Sequence, residues 1–374
     1  MEHLPQEPIR LFSVDSQFVH FHVSMLYPEE GQTLAVCGSP RRSPARVHSS
    51  RGGRAAEHRS RERGTPDGTV VQRGPGVLGT REALGPRARL NGNDPAQRLP
   101  ENQRVGSQQR VLLTGHRGYI GRWLSRSLRA AGHSLKGFDV LDGQDLLDET
   151  RVVSAAAEVD VIVHAAARLA DDPTRIDSEA EALAQESVRA AKNVLFAAEA
   201  GGHSRVIVFS SPQALGIFDG ERPPRSFPIR EDHPLLASRP YGRSKTELEL
   251  LCGAFSERTG ITSVCLRPLH VWLPGHAADV RAQWLREPAR EWLPHWNFGA
   301  FVDVRDLCEA VKLSLRVPLA GHRSFLLCAA DIASTLSTRE AAARWAPGVP
   351  MDRAWERAAG SMASLVDASE ARAL

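Results

Sequence analysis

The segment RVLLTGHRGYIGRW (110–123) constrains the fold of this chain more than any other stretch. A short apolar strand is followed by three glycines in a G-x-x-G-x-x-G spacing, Gly115, Gly118 and Gly121, and then by an amphipathic helix. A second strand ends at Asp139, so the unit spans about 30 residues, the length of half a βαβ repeat. The pattern therefore predicts an α/β protein.

Each glycine has its own physical role in such a turn. Gly115 lets the chain turn sharply out of the strand, Gly118 lets the backbone approach a diphosphate, and Gly121 lets the helix pack closely on the sheet. The helix N-terminus presents free N–H groups and the positive end of its dipole to the phosphates. This context predicts dinucleotide binding, and the alternative is a glycine-rich turn without a ligand.

Two signals conflict over which dinucleotide would bind. Asp139, at the end of the second strand, would accept hydrogen bonds from a ribose 2′-OH and repel a 2′-phosphate, which favours NAD. Arg117, directly before the middle glycine, could instead pair with the 2′-phosphate of NADP. Because a carboxylate beside a phosphate dianion is costly, while Arg117 can face the diphosphate or solvent, we predict NAD and keep NADP as the alternative.

Strands and helices alternate along the rest of the chain. Apolar runs at 159–167, 204–211, 261–268 and 324–330 predict strands, and a long helix is predicted over 178–200. This alternation predicts a doubly wound parallel Rossmann sheet. Ala165, Ala166 and Ala167, at the end of the first of these runs, would let a flat cofactor lie against the backbone.

A second motif is the pair Tyr241 and Lys245, in a chain with only three tyrosines and four lysines. The two residues are four apart on a predicted helix and so share one face. A nearby ammonium favours phenolate, so we expect Lys245 to lower the pKa of Tyr241 and make it a proton donor and acceptor near neutral pH. Ser211, which ends a strand thirty residues upstream, could hydrogen-bond the same substrate oxygen. The alternatives are a solvated helix face and a serine that caps its own backbone.

The segments TGHRGYIG, DVIVHAAA, VFSSPQALG, PYGRSK and LRP, in that order and spacing, resemble the extended short-chain dehydrogenase/reductase family of NAD-dependent epimerases and dehydratases. The resemblance extends from about Arg110 to the C-terminus. It implies that Tyr241 is the catalytic acid/base, that Lys245 is its electrostatic and ribose-binding partner, and that Ser211 is the third catalytic residue.

The resemblance also implies where the cofactor lies. Asp139 would bind the adenosine ribose, and Asp145 and Leu146 would lie at the adenine. The full set of implied cofactor contacts is Gly115, Arg117, Gly118, Tyr119, Ile120, Gly121, Asp139, Asp145, Leu146, Ala165, Ala166, Ala167, Tyr241 and Lys245.

Three departures from the family pattern narrow the expected chemistry. Ser187 stands where the family usually has an asparagine. Pro212 and Gln213 follow Ser211 in place of the Asp-Glu pair of sugar 4,6-dehydratases, and Gln213 also replaces the cysteine of relatives that reduce and epimerise keto-deoxy sugars. What remains is alcohol oxidation, ketone reduction or 4-epimerisation by reversible oxidation.

Composition sets the N-terminal part of the chain apart. Residues 41–104 contain fourteen arginines against six acidic residues and few periodic apolar residues, which predicts a disordered Arg/Gly/Pro-rich extension over 1–108. The net charge of +3 indicates no particular partner, and we do not expect nucleic-acid binding. The chain has neither a membrane-spanning apolar run nor a signal peptide, and its five cysteines lack metal-site spacing. We therefore expect a cytoplasmic protein without a metal or a membrane partner.

The sequence predicts a small substrate lobe in the C-terminal part. The strand pattern is lost between 269 and 300, where tryptophans and arginines cluster. The ending lacks the Gly-aromatic-x-Pro of the family, which leaves open whether the lobe is complete. The predicted parts are the extension (1–108), an NAD(P)-binding Rossmann domain (109–268), a substrate-lobe insert (269–300), a return to the Rossmann core (301–330) and further substrate lobe (331–374).

Together these features predict an NAD(P)-dependent oxidoreductase or epimerase. It would move a hydride between nicotinamide and a hydroxyl or keto carbon of a sugar or nucleotide-sugar-like substrate. The alternatives are a reductase of small carbonyl metabolites and a non-catalytic NAD(P)-binding sensor. Family members often dimerise through the helices that carry Ser187 and Tyr241, so the resemblance implies a homodimer.

Overall fold

The computed structural model of the protein describes residues 108–168, 176–286 and 297–374. The predicted N-terminal extension lies outside the described residues except for Gln108, and so do residues 287–296 of the predicted substrate-lobe insert. None of the helices within the described ranges is both long and apolar enough to cross a membrane.

The glycine-rich segment folds as the predicted strand–turn–helix–strand unit. Strand β1 (Arg110–Thr114) leads through the glycine turn into helix α1 (Gly121–Ala130), and strand β2 (Ser134–Phe138) follows. Val111, Leu112 and Leu113 are completely buried, and such a side chain contributes roughly 1.5–3 kcal/mol to folding. The strand–turn–helix–strand order and the burial of the apolar β1 residues therefore account for this part of the fold.

The remaining elements continue the alternation. In chain order they are α2 (Glu149–Ala156), β3 (Val161–His164), α3 (Ser178–Ala200), β4 (Arg205–Phe209), α4 (Pro240–Thr259), β5 (Thr262–Pro268), β6 (His270–Trp272), α5 (His276–Arg286), β7 (Phe301–Asp303), α6 (Val304–Arg316), β8 (His322–Leu327), α7 (Thr338–Trp345), α8 (Arg353–Ala358) and α9 (Ser369–Arg372). The long helix predicted over 178–200 is confirmed with the same bounds.

The main sheet is parallel and covered on both faces. Its six strands have the order β2-β1-β3-β4-β5-β8, and each neighbouring pair runs parallel. Leu112 packs on one face with Val194 of α3, while the adjacent Leu113 packs on the other face with Leu124 of α1 and Val311 of α6. The predicted doubly wound parallel sheet is therefore confirmed.

The topology brings the candidate residues to one edge of the sheet. Because the six strands are parallel, their carboxyl ends lie at the same edge. The strand order reverses between β1 and β3, which are neighbours although β2 lies between them in sequence. Ligands of such sheets bind in the crevice at this reversal, and here the glycine turn after β1 meets the alanines after β3.

A smaller apolar cluster lies outside the sheet core. It joins the segment after β4, including Leu215 and Phe227, to Phe298 and to C-terminal residues such as Leu365. The rings of Phe227 and Phe298 meet edge to face at 5.4 Å between centroids. Strands β6 and β7 form a separate two-stranded parallel sheet.

Candidate active site

Gly115 makes the sharp turn that follows β1. Its φ of +69° lies in the left-handed region that favours glycine. A Cβ atom there would lie 2.7 Å from Cα of Ala166, so the chain after β3 packs directly on this position. The Gly115 N–H donates to the Phe138 carbonyl at 2.9 Å, which joins the turn to the end of β2.

The other two glycines differ in what surrounds them. A Cβ atom at Gly121 would lie 1.9 Å from the Gly115 carbonyl oxygen, so any side chain there would displace the turn. At Gly118, a Cβ atom would meet only that same oxygen, at 3.2 Å, and no other atom within 4 Å. Gly121 is therefore required by packing, whereas Gly118 leaves a side of the backbone open to a ligand.

Helix α1 begins without a capping side chain. Ile120 at the N-cap makes no side-chain cap hydrogen bond, and the first turn contains no acidic residue. The N–H groups of Gly118 and Arg122 donate to the carbonyls of Gly115 and Gly118 at 3.0 and 3.1 Å, so the turn offers an anion the positive end of the helix dipole and the open side of Gly118. These features fit the diphosphate of a dinucleotide, as the sequence predicts.

Asp139 is fixed at the end of β2 by backbone donors. The buried carboxylate accepts the N–H of Arg117 and the N–H of Leu141, both at 3.0 Å. The Arg117 guanidinium turns to a different partner, since Nη1 lies 2.6 Å from a carboxylate oxygen of Asp142. The residue that could have bound a 2′-phosphate is thus already in an ion pair.

The residues predicted at the adenine lie on the next segment of chain. Asp145 accepts the N–H of Leu147 at 3.0 Å and pairs with Arg168 at 3.5 Å. The Leu146 carbonyl accepts a hydrogen bond from the side-chain amide of Asn193 at 2.8 Å, and the Leu146 side chain packs on the sheet core. Asn193 on α3 therefore holds the segment that contains Asp145 and Leu146 against the helix.

The chain after β3 follows the end of β1. The N–H of Ala165 donates to the Thr114 carbonyl at 3.3 Å, and that of Ala166 lies 3.4 Å from the Thr114 hydroxyl. Ala167 is exposed, while Ala165 and Ala166 are partly buried. Tyr119 extends from the glycine turn toward β6, where its hydroxyl lies 3.4 Å from the Val271 carbonyl.

Ser211 and Tyr241 come together at the carboxyl end of β4. Ser211 begins a short turn (Pro212–Leu215), in which its hydroxyl accepts the Gln213 N–H at 3.2 Å. Tyr241 is the second residue of α4, and the Ser211 side chain lies close enough to its phenol to favour a lower pKa of Tyr241. The turn is held to the helix because a Cβ atom at Gly242 would lie 2.8 Å from the Gln213 carbonyl oxygen.

Lys245 lies one turn further along the same helix face. Its Nζ atom is 5.7 Å from the centroid of the Tyr241 ring and donates to the Phe209 carbonyl at 2.9 Å. The side chain is 5% exposed, and burial lowers the pKa of Lys245 to about 8. Lys245 therefore remains largely an ammonium at neutral pH and places its charge beneath the phenol.

The protonation of Tyr241 differs from the expectation drawn from the sequence. Burial raises the pKa of Tyr241 above its usual value, and the nearby Ser211 side chain opposes this effect without reversing it. The reason is that a helical Tyr–Lys spacing specifies the neighbouring charge but not how far the ring is withdrawn from water. The phenol is therefore neutral at neutral pH in this structure.

His164 is part of the site although its motif did not suggest it. Its ring Nδ1 lies 2.8 Å from the Thr114 hydroxyl, and it is almost completely buried at the end of β3. Burial and the charge of Lys245 lower the pKa of His164 to about 3. The ring bonds the last residue of β1 and is influenced by the charge of Lys245, and a polar residue at the end of an apolar strand was the signal in the sequence.

A buried ion pair supports the helix behind Lys245. Glu249 of α4 pairs with Arg267 of β5 at 2.7 Å, and both side chains are nearly inaccessible to water. Glu249 also accepts hydrogen bonds from Ser210 and Ser324, and Arg267 donates to the Glu231 carbonyl at 3.0 Å. Burial would raise the pKa of Glu249, but these partners hold it below its usual value.

The structure also places Ser187 and one tryptophan of the Trp-rich insert in defined contacts. Ser187, in the place of the expected asparagine, accepts the Arg168 N–H at 3.3 Å and donates to the Arg168 carbonyl at 3.2 Å. In the Trp-rich insert, Trp272 stacks on Phe301 with 4.1 Å between ring centroids. The side chain of Trp284 and the residues 287–296 lie outside the described part.

Solved structures with a similar fold include several short-chain dehydrogenases and epimerases. A short-chain dehydrogenase/reductase superfamily protein from Agrobacterium tumefaciens with bound NAD is 22% identical, with a TM-score of 0.52 over 71% of this chain and 90% of that chain. The enzyme WbmG of Bordetella bronchiseptica, in complex with NAD and UDP, is 22% identical, with a TM-score of 0.50 over 72% and 88%. UDP-glucose 4-epimerase from Thermotoga maritima, with UDP-glucose, is 18% identical, with a TM-score of 0.50 over 71% and 91%. No curated protein matches the sequence.

A doubly wound parallel sheet with a glycine turn at its switch point defines a protein of the Rossmann class. Residues 111–325 match the NAD dependent epimerase/dehydratase family. The chain belongs to this family, as its motifs predict, and NAD is the cofactor of the family.

Proposed function

We propose that the protein is an NAD-dependent oxidoreductase or epimerase of a sugar or nucleotide-sugar-like substrate. The observation that carries the proposal is the meeting of Ser211, Tyr241 and Lys245 at the same sheet edge as the glycine turn. Membership of an NAD-dependent family supplies the second support. The substrate class rests on the similar structures that contain UDP or UDP-glucose.

The glycine turn and Asp139 would hold the cofactor. The open side of Gly118 and the start of α1 suit the diphosphate, and the Asp139 carboxylate suits a ribose hydroxyl. When bound, NAD supplies the acceptor and donor of hydride. The residues after β3 would lie along the nicotinamide side of the dinucleotide.

Tyr241 would exchange a proton with the substrate hydroxyl or carbonyl oxygen. Its neutral phenol can donate a proton to a carbonyl oxygen as that atom gains charge, and in the oxidative direction the phenolate form would accept the proton of the substrate hydroxyl. The Lys245 ammonium would stabilise the phenolate left behind, because the ammonium is buried and the phenol is partly buried, so their attraction is weakly screened. Ser211 would orient the same substrate oxygen through its hydroxyl.

We also propose a homodimer formed by α3 and α4. The two helices pack side by side, and each exposes a large apolar residue, Phe196 at 49% and Leu250 at 63%. The proposal follows from the resemblance, because related proteins often dimerise through the two helices that correspond to α3 and α4, and apolar side chains exposed on this pair are compatible with such an interface.

The function is tested with Tyr241→Phe. Wild-type protein is mixed with NAD⁺ and with UDP-glucose, UDP-galactose or free sugars, and turnover is followed by nicotinamide absorbance and by chromatography of the sugars. We expect the variant to lose turnover by roughly 10²- to 10⁴-fold, the usual contribution of a general acid or base. Its affinity for NAD⁺, measured by calorimetry, should stay close to that of wild type.

Glu247→Gln provides the matched control, since Glu247 is exposed on the same helix and pairs with Lys192. It should leave both turnover and NAD⁺ affinity unchanged. Retained turnover in Tyr241→Phe would contradict the role of the phenol. NAD⁺ binding without any turnover by the wild type would instead favour a sensor.

A further inference from the structure

Four aspartates follow β2 within ten residues, and three of them hold an arginine. The segment 139–148 contains Asp139, Asp142, Asp145 and Asp148. The ion pairs are Arg117–Asp142 at 2.6 Å, Arg168–Asp145 at 3.5 Å and Arg151–Asp148 at 3.1 Å. Each of these three arginines, which lie beside the expected ribose and adenine positions, is therefore paired with a carboxylate of this one segment.

Arg117 is the cation nearest to the expected ribose site. Its backbone N–H donates to Asp139, the residue suited to the ribose hydroxyls, at 3.0 Å. Its guanidinium turns away and bonds Asp142 at 2.6 Å and the Leu141 carbonyl at 3.3 Å. Asp142 thus engages the group that could otherwise face a phosphate at the ribose 2′ position.

Asp142 is itself held from a second side. The other oxygen of its carboxylate lies 3.2 Å from Nε2 of His116, the neighbour of Arg117 in the glycine turn. The His116 ring fits against β2 because Gly137 has no side chain: a Cβ atom there would lie 2.6 Å from the ring. Two side chains of the glycine turn therefore keep Asp142 next to Asp139.

We propose that Asp142 is a specificity-determining residue that selects NAD over NADP by holding Arg117. The inference rests on the proposed binding of NAD. A 2′-phosphate would need a free guanidinium, the group best suited to bind phosphate through paired N–H donors. In this protein the phosphate would meet two carboxylates, Asp139 and Asp142, and an arginine that is already neutralised.

The experiment compares the affinities of NAD⁺ and NADP⁺ for four proteins by isothermal titration calorimetry. They are the wild type, Asp142→Asn, the double variant Asp142→Asn with Arg117→Met, and Glu158→Gln. Glu158 is an exposed carboxylate paired with Lys136 at 2.7 Å, and it precedes β3 at the opposite edge of the sheet. It therefore controls for the loss of one negative charge from an ion pair.

We expect the wild type to bind NAD⁺ more tightly than NADP⁺. Asp142→Asn should tighten NADP⁺ binding by about threefold or more, in keeping with a partly exposed ion pair, and should change NAD⁺ affinity much less. The double variant should lose the gain, because the released guanidinium is gone. Glu158→Gln should keep the wild-type ratio of affinities.

An unchanged ratio in Asp142→Asn, an equal gain in Glu158→Gln, or a gain that persists in the double variant would overturn the inference while leaving the proposed function standing. A wild type that prefers NADP⁺ would overturn it as well. If the wild type binds neither dinucleotide, the proposed function fails and the inference fails with it. Circular dichroism checks that each variant is folded, and partial exposure of Asp142 makes its substitution mild.

Discussion

Two basic side chains lie buried at the carboxyl edge of the sheet, and burial acts on both in the same direction. Burial and the charge of Lys245 lower the pKa of His164 from 6.5 to about 3, while burial lowers that of Lys245 from 10.5 to about 8. At neutral pH the imidazole is therefore neutral and the amine is still mostly charged. Of these two groups only the Lys245 amine therefore carries a positive charge, and it lies near the Tyr241 ring.

The neutral His164 predicts a loss of stability in acid. Since the folded-state pKa lies below the unfolded value of 6.5, the unfolded chain binds the proton first, and stability falls as the pH drops from 6.5 toward 3. At pH 5 this residue should account for about 2 kcal/mol of the lost free energy of unfolding. We expect His164→Gln to show a smaller loss between pH 7.5 and 5 than the wild type, measured by urea unfolding.

His203→Gln is a useful comparison for this experiment. His203 is also buried, and its Nδ1 lies 3.1 Å from the Ala198 carbonyl at the end of α3, away from Lys245. An identical pH dependence in the wild type and His164→Gln would show that protonation of His164 does not drive the acid loss.

The start of helix α4 depends on Glu221, a residue of the preceding loop. Arg239 at the N-cap makes no side-chain cap bond, but Glu221 accepts the N–H groups of Ser238 and Arg239, each at 3.0 Å, as well as the Ser238 hydroxyl. The Arg239 guanidinium donates to the Asp219 carbonyl at 2.8 Å, and burial raises the pKa of the Asp219 carboxyl to about 6. The loop 216–239 thereby caps the helix that carries Tyr241.

Removing this cap should destabilise the protein. Glu221→Ala leaves two N–H groups without their acceptor, and we expect the free energy of unfolding to fall by about 1–2 kcal/mol. Glu221→Gln keeps one acceptor oxygen and should lose less. Urea unfolding at pH 7 measures both changes.

Glu257→Gln, an exposed change near the other end of α4, should stay within about 0.5 kcal/mol of the wild type. A Glu221→Ala protein as stable as Glu257→Gln would mean that the cap is unimportant.

At the scale of the whole molecule, the packed pair α3 and α4 is the surface on which the homodimer proposal depends. A glutamate at Leu250 would place a charge in the middle of such an apolar interface, where desolvation is unfavourable. We expect the wild type to elute as a dimer in size-exclusion chromatography with light scattering, and Leu250→Glu to shift toward monomer by at least about tenfold in dissociation constant.

Ile176→Glu is the control for this change, because Ile176 is 77% exposed but precedes α3. It should leave the dimer intact. A wild type that is monomeric at high concentration would contradict the proposed interface.

Local pattern alone was enough to predict the strand–turn–helix unit, the bounds of α3 and the parallel sheet. The strand–turn–helix unit and α3 depend on patterns local in sequence, such as the apolar run Val111, Leu112 and Leu113 and the crowding of Gly121 against Gly115, and the alternation of strands with helices then favours a parallel sheet. The spacing of Tyr241 and Lys245 likewise placed both on one helix face, with 5.7 Å between amine and ring.

The chemistry of the site, by contrast, depended on contacts between distant segments. Thr114 and His164 are 50 residues apart, and the Arg117–Asp142 contact spans 25. No periodicity encodes such pairings, and burial of the phenol raised the pKa that its neighbouring lysine was expected to lower. The sequence by itself thus determined the fold class and the helix face shared by Tyr241 and Lys245, because hydrophobic period and glycine sterics are local. Contacts between distant residues, and with them charge and protonation, were decided by the partners and the low dielectric that folding assembled.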